Sequence, residues 1–220
     1  MQVNNQKGDG IESWQEVTLV YNAALKQVQT KMEILNQEFQ HVHQYNPIEH
    51  IKARIKSPES IVKKLKRHGL ESTIENMVEH VNDIAGIRII CSFTSDIYTI
   101  AETIRAQKDI KVIATKDYIT YPKASGYRSY HMIVTVPVYL SDRIVDAKVE
   151  VQIRTVAMDF WASLEHKIHY KLEGDAPEHV KSELIECARM VMDLDARMLS
   201  LNEEIIQISE EKNRRKDKRY

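Results

Sequence analysis

Apolar residues recur at Tyr21, Leu25, Val28, Met32, Leu35, Phe39 and Val42 in alternating steps of four and three, with no Pro or Gly between them. That seam predicts one long helix from Glu12 to Gln44. The same rhythm returns near the other end, through Leu184, Cys187, Val191, Leu194, Met198, Leu201, Ile205 and Ile208. A stripe of this kind can pack on its own domain. Two of them at opposite ends of a small chain predict a helical self-association surface. Between them the period changes to that of strands. GIRIICSF (Gly86 to Phe93) and the stretches from Ile110, Tyr130 and Asp146 are rich in Val, Ile, Thr and aromatics. Helical stretches separate them, at Pro58 to Arg67, Thr73 to Val81, Asp96 to Gln107 and Val156 to Lys171. Only a few turn residues join the last two strands, so these should pair antiparallel. The fold class is therefore α/β (α+β), a mixed sheet flanked by helices, with a long helix at each end.

Composition narrows the function mainly by exclusion. A formal net charge of −1 over 220 residues gives no global field for nucleic acid or membrane. Any anion site must be a local cluster of Lys and Arg. No apolar run approaches the ~20 residues of a membrane span, and MQVNNQKGDG lacks a signal-peptide core, so a cytoplasmic protein is expected. Cys91 and Cys187 form no CxxC pair and are expected to be reduced and mostly buried.

Four segments carry candidate chemistry. In Val149 to Arg154, alternation sends Glu150, Gln152 and Arg154 to the face opposite Val149, Val151 and Ile153. A solvated sheet face would give the same pattern. The following helix, however, sets Glu165, His166 and Lys167 beside Trp161 and Tyr170, just past a strand end where α/β sheets often bind ligands. Asp83 precedes the strand that contains Arg88. An Asp there can be a turn former. With Glu150 on a neighbouring strand it could also hold Mg²⁺, which takes carboxylate oxygens with water and substrate phosphates.

In IKARIKSPESIVKKLKRHG, Lys52, Arg54 and Lys56 alternate with apolar residues, so an extended stretch lines three cations along one side. Pro58 then suits a first helical turn with Ser57 as N-cap. Lys63, Lys64, Lys66 and Arg67 follow on that helix. Cations around a helix N-terminus suit a polyphosphate, although charge runs on helices also form ordinary solvated faces. In KDYITYPKASGYRSYH, a Ser125-Gly126 turn lies among Lys116, Lys123, Arg128, His131 and several tyrosines. Tyrosine beside cations suits a base and its phosphates. Tyr118 and Tyr121 can equally serve packing.

Taken in order, RIKSPESIVKKLKR, DIAGIRII, KDYI…PKASGYRSYH, EVQIRT and MDFWASLEHKIHYK resemble the synthetase domain of the RelA/SpoT family. The resemblance runs from Asn46 to Lys171, and the flanking helices resemble those of stand-alone small alarmone synthetases. It implies a nucleotidyltransferase-like mixed sheet. It also implies transfer of pyrophosphate from ATP to the 3′-hydroxyl of GTP or GDP, making (p)ppGpp and AMP in a stress response. Carried over, Arg54 and Arg88 would sandwich adenine. Lys56, Ser57, Lys63, Arg154 and His166 would meet the ATP phosphates, and Asp83 and Glu150 would bind Mg²⁺. Tyr127 would stack on guanine, with Lys116, Lys123, Ser129 and His131 near the acceptor nucleotide. A sugar hydroxyl needs a proton acceptor. Glu150 is the candidate base and Gln152 its orienting neighbour.

The domain reading has a lead-in (1–11), an N-terminal oligomerisation helix (12–45) and a synthetase domain (46–172). A C-terminal oligomerisation helix (176–212) and a charged tail (213–220) complete it. A homotetramer without a hydrolase domain is implied, and an alarmone or RNA regulator is left open. His41, His43 and His50 form a further group that could meet metal, with solvent-facing histidines the plainer reading. Two rival functions remain at this level. One is a nucleotidyltransferase that adds a nucleotide instead of pyrophosphate. The other is a helical oligomer that binds RNA and catalyses nothing, which the near-neutral charge disfavours.

Overall fold

The computed structural model describes residues 11, 13–43, 45–171 and 176–217, with side chains for all of these except 169–171, 213 and 215–217. Residues 1–10 of the expected lead-in, the last residues of the charged tail and the side chain of Tyr170 lie outside the described residues.

Ser13 caps the first helix, α1 (Trp14–His41), by accepting from the Glu16 amide. Val17, Val20, Tyr21, Ala24, Leu25, Val28 and Met32 are buried on it. That face packs on the sheet of its own chain. Most of the seam expected to serve self-association, from Tyr21 to Met32, is thus covered by the chain's own sheet, while Leu35 and Phe39 are partly buried and Val42 is exposed. An apolar sheet face covered on the same chain needs no partner to leave water.

The sheet has five strands in the order β1 (Ile48–Ile55), β2 (Ala85–Cys91), β5 (Ile144–Thr155), β4 (Tyr130–Tyr139) and β3 (Lys111–Asp117). β2 and β5 run parallel, and the other neighbours are antiparallel, including the anticipated β4–β5 pair. β1 is the strand that hydrophobic pattern did not count, although its alternation had marked an extended stretch. It is an edge strand with a burial pattern broken by exposed charges, so its apolar signal is weak.

Helix α2 (Pro58–Arg67) starts where Pro58 and the Ser57 cap direct it, with the Ser57 hydroxyl accepting from the Ser60 amide at 3.3 Å. Ile61 and Leu65 anchor it. α3 (Ile74–His80) and α4 (Thr94–Arg105) follow their expected stretches. At the start of α4, Asp96 accepts from the Phe93 amide at 3.0 Å. α5 (Val156–Lys171) leaves the end of β5 and packs back on β2 and β5. α6 (Glu178–Asp217) continues past the expected end at 212 and lies against α4 and α5.

The main core joins α1, α4 and the Ile/Val rows of the sheet, including Ile87, Ile89, Val149, Val151, Ile153, Met132 and Val134. α6 meets its own domain through Leu184, Ile185, Ala188, Val191 and Asp195, a track that only partly coincides with the predicted seam. Leu194, Met198, Leu201, Ile205 and Ile208 remain exposed. Cys91 is buried and Cys187 exposed, so only the first meets the expectation of burial. Burial pushes the Cys91 thiol well up from its ordinary value.

Candidate active site

Residues opposite each other in a ladder share a face of the sheet. Lys116 pairs with His131, His131 with Gln152, Gln152 with Arg88, and Arg88 with Lys52. One polar row therefore crosses all five strands from edge to edge. The adjacent row on the same face runs Arg54, Gly86, Glu150, Ile133. The opposite face carries the apolar core. Segments separated by tens of residues in sequence thus present their charged side chains together, for the same reason that their Ile and Val partners are buried.

A cavity of about 170 Å³ opens where these rows cross β1, β2 and β5. Lys52, Arg54, Asp83, Arg88, Glu150 and Gln152 line it around Gly86. Gly86 keeps the space open between Arg54 and Glu150. A Cβ there would already sit 3.9 Å from the Glu150 carbonyl oxygen and 4.0 Å from the Arg54 Cγ.

Asp83 stands just before β2 and receives Lys56 Nζ and Lys64 Nζ, each at 2.7 Å. Burial alone would raise its carboxyl, but the hydrogen bonds and charges of the two lysines outweigh burial and hold it below the usual range. Burial would raise Glu150 too. There the hydrogen bond and charge of His131, helped by Gln152, prevail and lower it, against the opposing charge of Asp83. Both acids are thus held ionised toward one cavity.

Glu150 belongs to a closed circuit of side chains. Gln152 Nε2 donates to Glu150 Oε2 at 2.8 Å, and Arg154 Nη2 donates to Gln152 Oε1 at 2.9 Å. Arg154 Nη2 also donates to the Tyr127 hydroxyl. That hydroxyl meets His131 Nε2 at 2.8 Å, and His131 Nδ1 lies 3.3 Å from Glu150 Oε1. Asp159, on the first turn of α5, bridges Arg88 Nη1 at 3.0 Å and Arg154 Nη1 at 3.2 Å through one oxygen. Burial, then the nearby charge of Arg154, lowers the Arg88 guanidinium, with Asp159 opposing. The Arg88 Nε is buried without a hydrogen-bond partner.

The tyrosine-rich loop closes the other end. The Lys123 amide donates to the Tyr127 carbonyl at 3.2 Å, and the Gly126 amide donates to the Lys123 carbonyl at 2.8 Å, forming a tight turn with Gly126 at φ +88°. Lys123 Nζ stands 4.8 Å from the Tyr118 ring centroid and 4.7 Å from that of Tyr127. Tyr118, Tyr127 and His131 meet edge to face.

Comparison with known proteins places this arrangement. The family model described as "Region found in RelA / SpoT proteins" matches residues 53–175. The chain belongs to the RelA/SpoT family. GTP pyrophosphokinase YwaC of Bacillus subtilis is 50% identical over 195 residues, covering 89% of this chain and 93% of the relative. GTP pyrophosphokinase YjbM of the same organism is 34% identical over 194 residues, covering 88% and 90%. The crystal structure of small alarmone synthetase 2 from B. subtilis superposes with a TM-score of 0.80 at 49% identity, covering 88% of this chain and 100% of that one. Small alarmone synthetase 1 from the same organism, bound to its product pppGpp, gives 0.82 at 35% identity, covering 87% and 97%.

For this RelA/SpoT member, the structure brings Arg54, Asp83, Arg88, Glu150 and Gln152 to the cavity, with Lys56 on Asp83. Tyr127, His131 and Arg154 adjoin it through the circuit, whereas Lys116 sits on β3 at the opposite edge of the sheet. Lys63, His166, Ser129, Ser57 and the loop residue Lys123, all expected ligands, stand apart from that cavity. Lys63 is exposed on α2 beside Pro58 and Lys66, and His166 is exposed on α5. Ser129 is 0% exposed, donates to the Ile153 carbonyl and accepts from Arg154 Nε, so its hydroxyl holds the arginine in place. Ser57 serves as the α2 cap. His41 and His43 meet Gln37 and Glu38 on their own helix end, and His50 is exposed on β1. Two participants escaped sequence reasoning, Asp159 and the Asp83-binding role of Lys64. Lys64 looked like one more charge in a basic run. Asp159 lay inside a quoted motif, but nothing in the spacing says that it faces two arginines from other elements.

Proposed function

We propose that this chain is a GTP pyrophosphokinase, moving the β,γ-pyrophosphate of ATP to the 3′-hydroxyl of GTP or GDP and releasing AMP. The observation that carries the reading is one cavity where Arg54, Arg88 and two ionised carboxylates meet, with a tyrosine–lysine loop one strand away. The planar guanidiniums of Arg54 and Arg88 take adenine between them, as arginine faces suit aromatic rings. Lys56, Lys64 and Arg154 turn toward the phosphates, with Ser57 at the α2 N-terminus, Lys63 further along α2 and His166 on α5 at the outer end of the chain of phosphates. Tyr127 stacks on guanine, and Lys116, Lys123 and His131 face the acceptor's phosphates and ribose.

In the reaction the guanosine 3′-oxygen bonds to the β-phosphorus as the bond from that phosphorus to the α–β bridging oxygen breaks. The departing oxygen leaves with AMP, and the hydroxyl proton goes to Glu150. Gln152 and His131 hold the Glu150 carboxylate at its place. A general base of this kind contributes about 10²–10⁴-fold, and in-line placement of the nucleotides supplies much of the rest. Asp83 and Glu150 are hard oxygen donors on one cavity, which fits Mg²⁺ shared with substrate phosphates. When bound, the ion offsets negative charge on the transferred group.

We extend the proposal to assembly and place. No described helix is long and apolar enough to cross a membrane. Assembly as a homotetramer is supported by the exposed α6 stripe of Leu194, Met198, Leu201 and Ile205, and a cytoplasmic location is part of the same proposal. Incubation with ATP, GTP and Mg²⁺ tests the reaction. Equal yields of AMP and a guanosine pentaphosphate are expected. Release of free pyrophosphate with a nucleotidylated product would instead establish nucleotide transfer.

A further inference from the structure

The second, smaller apolar cluster consists of buried Trp161, Ala162 and Ala188, with Tyr127, Leu184 and Val191 packed against it. It is separate from the main core and joins three elements: the tyrosine loop, α5 and α6. Its closest approach is backbone to helix. A Cβ on Gly126 would fall 2.5 Å from the Ala188 Cβ, 3.7 Å from the Ile185 Cα and 3.8 Å from Trp161 Cζ2. No side chain separates the turn from α6, so the two surfaces touch almost directly. Trp161 spans the remaining gap, its Nε1 donating to the Leu184 carbonyl at 2.9 Å. A second tie lies one helical stretch further on, where Thr155 Oγ1 donates to Asp195 Oδ2 at 2.7 Å and accepts from the Met158 amide.

We propose that α6 is the back wall of the acceptor-nucleotide site, with Ala188 and Trp161 as positioning residues that set where the Tyr127 ring stands. The inference rests on the proposed guanine role of Tyr127. Interiors are close-packed, so a displacement of a few tenths of an ångström at the Gly126–Ala188 contact passes to the next residue instead of being absorbed. Tyr127 is that next residue. Its hydroxyl is already tied to His131 and Arg154, leaving the ring little freedom to correct the shift. The ATP side of the cavity, at Arg54, Asp83 and Gly86, has no part in this cluster. The one link from the cluster to that side is the Tyr127 hydroxyl's bond to Arg154, so the wall should move acceptor affinity far more than ATP affinity.

The test is steady-state kinetics of the full chain with Ala188→Leu and with Trp161→Phe, alongside size-exclusion chromatography. The expected result for Ala188→Leu is a KM for GTP raised about tenfold or more, because overpacking must push the turn. Its KM for ATP stays within about twofold and its assembly is unchanged. Trp161→Phe keeps an aromatic ring of smaller size, loses the Leu184 hydrogen bond and gives a smaller change of the same kind. An unchanged KM for GTP in both variants overturns the proposal, as does a parallel rise for ATP and GTP. A change of oligomeric state that accounts for the loss also overturns it. If Ala188→Leu does not fold, Trp161→Phe decides by the same split. If the wild-type chain transfers no pyrophosphate, the proposed reaction fails instead. Equilibrium titration of GDP against a non-hydrolysable ATP analogue then tests the wall directly.

Discussion

His131 Nδ1 lies 3.3 Å from Oε1 of Glu150, although the residues belong to different strands and are not direct ladder partners. The imidazole stands one row from the carboxylate on the same sheet face. It links the acid to Tyr127 and thence to the loop. A carboxylate that is half-buried yet ionised can accept a proton from a bound hydroxyl without first losing one. Glu150→Gln is expected to lower kcat by about 10²-fold or more while ATP still binds. Rapid-quench turnover alongside calorimetric titration of an ATP analogue checks it. Turnover at the wild-type rate would remove Glu150 from the role of base.

Tyr127 supplies a ring and a hydroxyl, and the two can be separated. Tyr127→Ala is expected to raise the KM for GTP by about tenfold, the scale of a lost stacking contact of ~1–3 kcal/mol. Tyr127→Phe keeps the ring but releases His131 and Arg154, so kcat should fall with the acceptor KM little changed. Measuring both constants for both variants checks the division. Loss of ATP affinity with an unaltered acceptor KM would place the tyrosine on the wrong nucleotide.

Asp159 is the one carboxylate hydrogen-bonded to both Arg88 and Arg154 among the described residues. Arg154 is only 4% exposed, so its charge is poorly served by water. Asp159→Ala is expected to destabilise the fold by about 3 kcal/mol and to weaken ATP binding, because two neighbouring guanidiniums lose their shared counter-charge. Urea denaturation of wild type and variant measures the first effect.

Gly86 is expected to accept Ala but not Val. A single Cβ would make ordinary contacts at 3.9 and 4.0 Å, whereas added methyl groups enter the space between Arg54 and Glu150. Gly86→Val should abolish ATP-analogue binding while circular dichroism shows the fold retained.

Burial raises the Asp195 carboxyl, with the Thr155 hydrogen bond and the charge of Arg128 opposing. A raised folded value means the native state holds the proton more tightly than the unfolded chain. Stability from this group is therefore full below the ordinary aspartate value, near ~4, and declines as pH rises from there through the raised value. Asp195→Asn keeps an acceptor for Thr155 Oγ1 and removes the buried charge. Its Tm should equal or exceed that of wild type at pH 7 and vary less as pH rises from the ordinary aspartate value. A lower Tm at pH 7 would show that the charge itself holds α6 in place.

Periodicity was sufficient for α2 and α5, whose bounds coincide with their capping and strand-end signals, and for the antiparallel β4–β5 pair. Those are local features, written in residues a few positions apart. The polar row from Lys116 to Lys52 was legible only in fragments, as alternating charges in separate strands. Register is what aligns it, and register follows from how the apolar faces fit together in the core. The same holds for the helices at the two ends. Their stripes look alike in sequence, yet α1 is consumed by its own sheet, whereas α6 keeps Leu194, Met198 and Leu201 exposed. Asp159 between two arginines, Ser129 behind Arg154, and Ala188 against Gly126 were decided by tertiary structure alone. Residue order alone dictates which side chains are charged, which alternate and where helices can begin. Only the packed fold decided which of them meet, because contact between distant segments depends on the burial of everything between them.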